Sequence, residues 1–186
     1  TGRPSALGAP RPAPLHHRAQ QAQMINRLYF QLDETWGSGQ SVDLIVYPAA
    51  FAYRHAIELY LKHLVLTLNL ILETGQTFKK NHKMIDLWKE ASKLNEATKL
   101  DLLEEKAIDR AGELIGYFDA FDPTGQVFRY PEDIMGNRHL AKHKLINVEV
   151  LRDQMRELQG ILERWVYQAM EHRDWQLGQA AEYNTN

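Results

Sequence analysis

The feature that most constrains this chain is a strongly apolar segment from Tyr47 to Leu72 that still carries ionisable side chains. These side chains include Arg54, His55, Glu58, Lys62 and His63. A membrane span needs roughly 20 predominantly apolar residues, so this many polar groups argue against one. Apolar residues on both sides indicate a central helix that is buried nearly all round. The sequence predicts that this helix begins near Pro48 and continues to Ile71, with Gly75 just past its end.

The region before this segment divides into two parts. Prolines at positions 4, 10, 12 and 14 forbid a continuous helix, so residues 1–15 are predicted to be a flexible tail, a linker or a cloning remnant. Residues 16–36 show helical spacing of apolar side chains, and Gly37 follows them. The stripe consists of Ala22, Ile25, Leu28, Tyr29, Leu32 and Trp36. Residues 16–186 are predicted to form a single helical domain.

Three more helices are predicted after the apolar segment. Asn81 is a candidate N-cap for a short helix, and Asn95 is a candidate N-cap for a longer one that ends before Pro123. Asn147 is a candidate N-cap for a long last helix, whose stripe includes Leu151, Met155, Leu158, Ile161, Leu162, Trp165, Val166 and Met170. The predicted fold class is therefore all-α, a bundle of four long helices and one short helix with a long polar loop before the last helix.

Composition excludes several classes of function. The chain has 186 residues, a net charge of −2 and no cysteine. Disulfides, thiolate nucleophiles and Cys-based zinc sites are therefore excluded, and a reducing cytoplasm is the expected location. No Gly-rich phosphate loop and no Ser-centred nucleophile elbow occurs, so common kinase and hydrolase chemistries are unsupported. His139 and His143 are four residues apart, but Gly136 and Asn137 before them indicate irregular structure, so no metal site and no cofactor are predicted.

A small set of ionisable residues could form a functional site. Arg54 and Glu58 are four residues apart and therefore share one face of the predicted helix. They form either an internal ion pair or a site in which the guanidinium binds phosphate or carboxylate. The loop after the fourth predicted helix adds Asp122, Arg129 and Tyr130. These residues could serve as ligand contacts, because functional residues concentrate in loops that join rigid helices, or they could fix the loop to the bundle.

Three stretches of this chain resemble a known family. They are Tyr-Arg-His-Ala-Ile-Glu-Leu-Tyr-Leu-Lys (53–62), His82 with the following Lys-Met-Ile-Asp-Leu-Trp (83–88), and Phe-Arg-Tyr-Pro (128–131) followed by Asp133 and Gly136. Together they resemble an uncharacterised bacterial group that is similar to the HEPN superfamily, the higher-eukaryote and prokaryote nucleotide-binding domain. The resemblance extends over about residues 47–165. It implies a bundle of four or five helices.

The resemblance also implies a function. Members of this superfamily frequently form homodimers and are associated with toxin–antitoxin or phage-defence systems. Many are metal-independent ribonucleases in which four to six residues separate an Arg from the His that follows it. Arg138 and His143 match that spacing and are the candidate catalytic pair; Arg11 with His16 also matches, in the tail. The candidate ligand contacts are Arg54, Glu58, His82, Asp122, Arg129 and Tyr130. The expected partners are a second copy, RNA or a nucleotide, and an antitoxin or defence-system protein, but no membrane.

A second hypothesis belongs to a different class of function. The near-neutral net charge offers no strongly basic surface for nucleic acid. The chain could therefore be a catalytically silent helical module that dimerises or binds a partner protein. The two hypotheses differ in their dependence on salt, because phosphate contacts release counterions and weaken as salt rises.

Overall fold

The computed structural model describes residues 42–77, 83–123, 125–127, 135 and 147–185. Within these ranges the chain forms four helices and no strand. They are α1 (Val42–Ile71), α2 (Met84–Thr98), α3 (Glu105–Phe121) and α4 (Val148–Thr185). The prediction of an all-α fold is confirmed. The predicted helix over residues 16–36 and the predicted tail over residues 1–15 lie outside the described residues.

The four helices form a bundle, in which four pairs of helices share most of the contacts. α1 packs against α2 and α4, and α3 packs against the same two helices. The Tyr60 hydroxyl donates to Glu163 Oε1 at 2.8 Å, and Gln176 Nε2 donates to the carbonyl of Ile71 at 3.3 Å. The contact that lies later in α1, at Ile71, also lies later in α4, at Gln176. The two helices therefore run in the same direction. α3 runs opposite to α4, because Arg110 contacts Glu157 whereas Phe121 lies beside Leu151.

The centre of the bundle is built largely from α1 and α4. Ile57, Leu61, Leu64 and Leu68 are at most 1 % exposed, and Trp165 of α4 is fully buried. Burying one such aliphatic side chain contributes about 1.5–3 kcal/mol, so this apolar core is the main force that holds the helices together. Because Leu66, on another side of α1, is also buried, the prediction of a central helix buried nearly all round is confirmed.

Two predicted helix starts are wrong. α1 begins at Val42, six residues before Pro48, which lies inside the helix. As the seventh residue of α1, Pro48 lies past the first turn, so it removes one backbone hydrogen bond from the helix. The N-cap residue of α2 is Lys83, which makes no side-chain capping hydrogen bond, and not Asn81 as predicted. Asn81 itself lies outside the described part of the chain.

The prediction that Asn95 begins a new helix is also wrong. Asn95 lies inside α2, which has 15 residues and is therefore longer than the short helix predicted there. The Asn95 side chain accepts a hydrogen bond from Trp165 Nε1 at 3.0 Å, so its amide is used in packing and not in capping. α2 ends at Thr98; the next residue, Lys99, adopts the left-handed conformation with φ 55°, and α3 starts only at Glu105.

The start of α4 agrees with the sequence. The Asn147 Oδ1 atom accepts hydrogen bonds from the backbone N–H groups of Glu149 and Val150, both at 3.1 Å, so the predicted N-cap is confirmed. α4 then continues for 38 residues to Thr185, well past the predicted apolar stripe. Among the described helices, none is long and apolar enough to cross a membrane.

Candidate functional site

A row of charged side chains lies along one buried face of α1. Arg54 Nη1 lies 3.1 Å from Glu58 Oε2, and Lys62 Nζ lies 2.6 Å from Glu58 Oε1. The three residues are four apart, so they follow each other on the same face of the helix. The side chains of Arg54 and Glu58 are each 4 % exposed and that of Lys62 is 15 % exposed. Glu58 is therefore placed between two cations inside the bundle.

A second carboxylate reaches this row from the end of α3. Arg54 Nε lies 3.4 Å from Asp122 Oδ2, and it also donates to the Asp122 backbone carbonyl at 3.4 Å. The Asp122 side chain is fully buried. Removing such charges from water costs several kcal/mol per ion, and this cost is offset only when each ion has close partners. Here each carboxylate has a cation within 3.4 Å, but Asp122 Oδ2 accepts no hydrogen bond within the described residues.

Asp122 also organises the turn that follows α3. Its Oδ1 atom accepts hydrogen bonds from the backbone N–H groups of Gln126 at 2.9 Å and Val127 at 3.2 Å. Its Oδ2 atom faces Arg54 at the same time. One carboxylate therefore connects the first residues of the connection between α3 and α4 to the guanidinium of α1.

Gly125 completes the cluster by close backbone approach. Its φ is +77°, a conformation that favours glycine, and a Cβ atom at this position would lie 2.7 Å from Arg54 Cζ. No side chain fits in that space without moving the guanidinium. We use the name Arg54 cluster for Arg54, Glu58, Lys62, Asp122 and Gly125.

The structure brings together three of the predicted ligand contacts and leaves the others untested. Arg54, Glu58 and Asp122 meet in the Arg54 cluster. His82, Arg129 and Tyr130 lie outside the described residues, and so do Arg138 and His143, the candidate catalytic pair.

Sequence reasoning misses two members of the cluster. Lys62 lies four residues after Glu58, and this spacing alone could have identified it as a partner. From the sequence alone, Gly125 is recognisable only as a residue that follows a helix end. Its contact with Arg54 depends on tertiary structure and has no local signal.

Outside the cluster, Tyr60 lies in a strongly perturbed environment. Its side chain is 3 % exposed, and its hydroxyl donates to Glu163 Oε1. Burial raises the pKa of Tyr60 far above its ordinary value, and the hydrogen bond to Glu163 and the negative charge of that carboxylate raise the pKa further. This hydroxyl therefore stays protonated and joins α1 to α4. In the part of the chain that the structure describes, no group of three or more His, Asp or Glu residues could hold a metal ion.

An apolar groove lies on another face of the bundle, between the C-terminal half of α3 and the first turns of α4. The side chains that line it include Leu114, Tyr117, Phe118, Phe121, Leu151 and Met155. Tyr117 is 53 % exposed and Phe121 is 42 % exposed. These exposed aromatic side chains could contact another apolar surface. We call this site the α3/α4 groove.

Comparisons of this chain with protein-family models, with curated proteins and with solved structures find no match. The geometry of the Arg54 cluster and of the α3/α4 groove therefore carries the functional argument.

Proposed function

We propose that this protein is a HEPN-type bacterial defence or toxin module that binds RNA or a nucleotide through the connection between α3 and α4. The observation that carries the proposal is the Arg54 cluster, which fixes the start of this connection through Asp122 and Gly125. At the other end of this connection, Asn147 caps the start of α4. Residues with catalytic or binding roles concentrate in loops that a rigid scaffold positions, and residues 122–147 have such anchors at both ends.

Within this connection, Arg138 and His143 are the candidate catalytic pair. In metal-independent RNA cleavage, the ribose 2′-oxygen attacks the adjacent phosphorus and the bond to the 5′-oxygen breaks. His143 would exchange a proton with the 2′-hydroxyl or with the leaving oxygen. Arg138 would stabilise the extra negative charge on the phosphate. Arg54 has a different role in this proposal: it positions the connection and does not contact the substrate.

RNA cleavage in EDTA tests the catalytic part of the proposal. The wild-type protein, Arg138→Ala and His143→Ala are compared, and the unfolding midpoint of each shows that it is folded. The matched control is Arg11→Ala and His16→Ala, since this pair has the same separation and lies outside the connection. We expect metal-independent cleavage that is lost in the first two variants and unchanged in the controls. Cleavage that is equal in all variants would contradict the assignment of the pair.

A second candidate function is a catalytically silent helical interaction module. The observation that favours it is the α3/α4 groove with its exposed Tyr117 and Phe121. The net charge of −2 also fits a protein partner better than nucleic acid. The dependence of RNA affinity on salt separates the two candidates. Affinity that falls steeply as salt rises supports phosphate contacts, whereas absence of RNA binding at low salt supports the silent module.

A further inference from the structure

The α3/α4 groove presents a mainly apolar surface, and the charges beside it already pair with each other. Arg110 Nε lies 2.8 Å from Glu157 Oε1, and Arg110 Nη1 lies 2.6 Å from Glu113 Oε2. Tyr117, which lines the groove, donates its hydroxyl to Glu113 Oε1 at 2.9 Å. An occupant therefore needs an apolar face and gains little from a complementary charge.

The chain before α1 enters the bundle at the end where this groove lies. α1 and α4 run in the same direction, and Tyr60 pairs with Glu163. At about 1.5 Å per residue, Val42 lies about 27 Å before that pair along α1, and Val148 lies about 22 Å before it along α4. The first turns of the two helices are therefore at a similar level. Leu151, in the first turns of α4, lines the groove.

The chain before α1 contains a segment of suitable length and pattern. The sequence predicts an amphipathic helix over residues 16–36, which would be about 31 Å long. Its apolar stripe is continuous from Ala22 to Trp36, and polar residues such as Arg27 and Glu34 lie on the opposite face. Residues 37–41, between this segment and α1, can span up to about 17 Å. That reach is sufficient to place the segment beside the first turns of α4.

We propose that residues 16–36 of the same chain occupy the α3/α4 groove, with the apolar stripe that contains Leu28 and Leu32 facing Tyr117 and Phe121. The bundle then has a fifth helix, and its aromatic groove is removed from water. This inference is independent of the proposed function, because it uses neither Arg138 nor His143. The α3/α4 groove would then be filled by a segment of the same chain and would not bind a partner protein.

Crosslinking between introduced thiols tests this occupancy in the full-length protein. The chain has no cysteine, so only introduced thiols react with a short bis-maleimide reagent. One thiol replaces Tyr117, a half-exposed position outside the buried core. The second replaces Leu28 or Leu32 on the stripe, or Arg27 or Glu34 on the opposite face as matched controls. Mass spectrometry and denaturing gels distinguish crosslinks within one chain from crosslinks between two chains.

We expect the Leu28→Cys and Leu32→Cys variants to crosslink to position 117 within one chain, at a rate that does not change with protein concentration. The Arg27→Cys and Glu34→Cys controls should react at least several-fold more slowly. Crosslinks between two chains that increase with concentration would overturn the proposal in favour of a second copy in the groove. Equal reaction of stripe and control positions, or no reaction at either, would overturn it as well. Thermal unfolding of each unreacted variant verifies that it is folded.

Discussion

Gly125 lies directly against the guanidinium of Arg54, although the two residues belong to different parts of the chain. A Cβ atom on Gly125 would lie 2.7 Å from Arg54 Cζ and 2.8 Å from Nη1. The guanidinium cannot retreat without weakening its ion pairs with Glu58 and Asp122. This contact makes the turn after α3 and the charged face of α1 depend on each other.

The first prediction concerns Gly125→Ala. We expect a loss of about 1–2 kcal/mol from the positive φ, and a further loss of about 1–3 kcal/mol from the overlap with the guanidinium. Gly75→Ala is the matched control, because Gly75 also has a positive φ, of +68°, but a Cβ atom added there would meet nothing within 4 Å. Chemical denaturation measures the free energy of unfolding of both variants. Equal losses in the two variants would show that Arg54 moves aside freely.

The second prediction concerns Arg54→Met. This variant leaves Asp122 and Glu58 buried with fewer cations, and breaking a buried ion pair from one side costs about 3–5 kcal/mol. Lys62→Met is the matched control on the same face of α1. We expect a smaller loss from it, because Lys62 is more exposed and its removal leaves Glu58 paired with Arg54. Thermal and chemical unfolding give both values.

If Arg54→Met does not lower stability, the positioning role assigned to Arg54 is wrong. Unchanged stability together with lost RNA binding would identify Arg54 as a ligand contact and not as a residue that positions the connection. An RNA-binding measurement on the same preparation therefore accompanies the unfolding experiment.

The Arg54 cluster shows how much of the site can be predicted from sequence. Arg54 and Glu58 are four residues apart in an apolar helix, so their pairing follows from helical geometry alone. Asp122 is also a candidate from its place in the loop, but its contact with Arg54 joins residues 68 apart in the chain, and no local pattern specifies such a contact. The close approach of Gly125 depends on the same tertiary contact. The apolar stripes predict the helices well because burial of one face determines their periodicity.

Asn95 illustrates why helix boundaries are harder to predict. An asparagine before an apolar run is typical of an N-cap. In the structure its amide accepts the indole N–H of Trp165, which lies 70 residues later in the chain. This tertiary hydrogen bond replaces the local one, and α2 continues past Asn95 to Thr98. At Asn147, by contrast, the side chain bonds its own helix start, and the local rule is sufficient.

The third prediction concerns stability at alkaline pH. The pKa of Tyr60 is raised in the folded protein by burial and by Glu163, so the unfolded chain loses this proton first as pH rises above the ordinary value of 10.0. The contribution of the Tyr60 hydroxyl to the free energy of unfolding is fully present below pH 10. Above pH 10 it decreases, by at most about 1.4 kcal/mol per pH unit. The difference in unfolding free energy between wild type and Tyr60→Phe should therefore be constant from pH 7 to about pH 9 and should shrink above pH 10.

The control for this pH dependence is Tyr167→Phe. A hydrogen bond to Glu171 raises the pKa of Tyr167 as well, but its side chain is 62 % exposed, so solvent screens the effect. We expect the unfolding free energy of this variant to follow that of wild type closely across the same range. A pH-independent difference between wild type and Tyr60→Phe would contradict the role of the Tyr60 hydroxyl.

The last prediction concerns the hydrogen bond between Trp165 and Asn95. Asn95→Ala leaves the Nε1–H group of the fully buried Trp165 without its 3.0 Å acceptor, which should cost about 1–3 kcal/mol. In a Trp165→Phe background that N–H group is absent, so the same substitution should cost less, and a coupling of about 0.5–3 kcal/mol is expected from the double-mutant cycle. Ser92→Ala, on the same helix, is the control, because its buried Oγ makes no hydrogen bond within the described residues and its removal should be nearly neutral. Equal costs of Asn95→Ala in both backgrounds would show that the indole does not depend on Asn95.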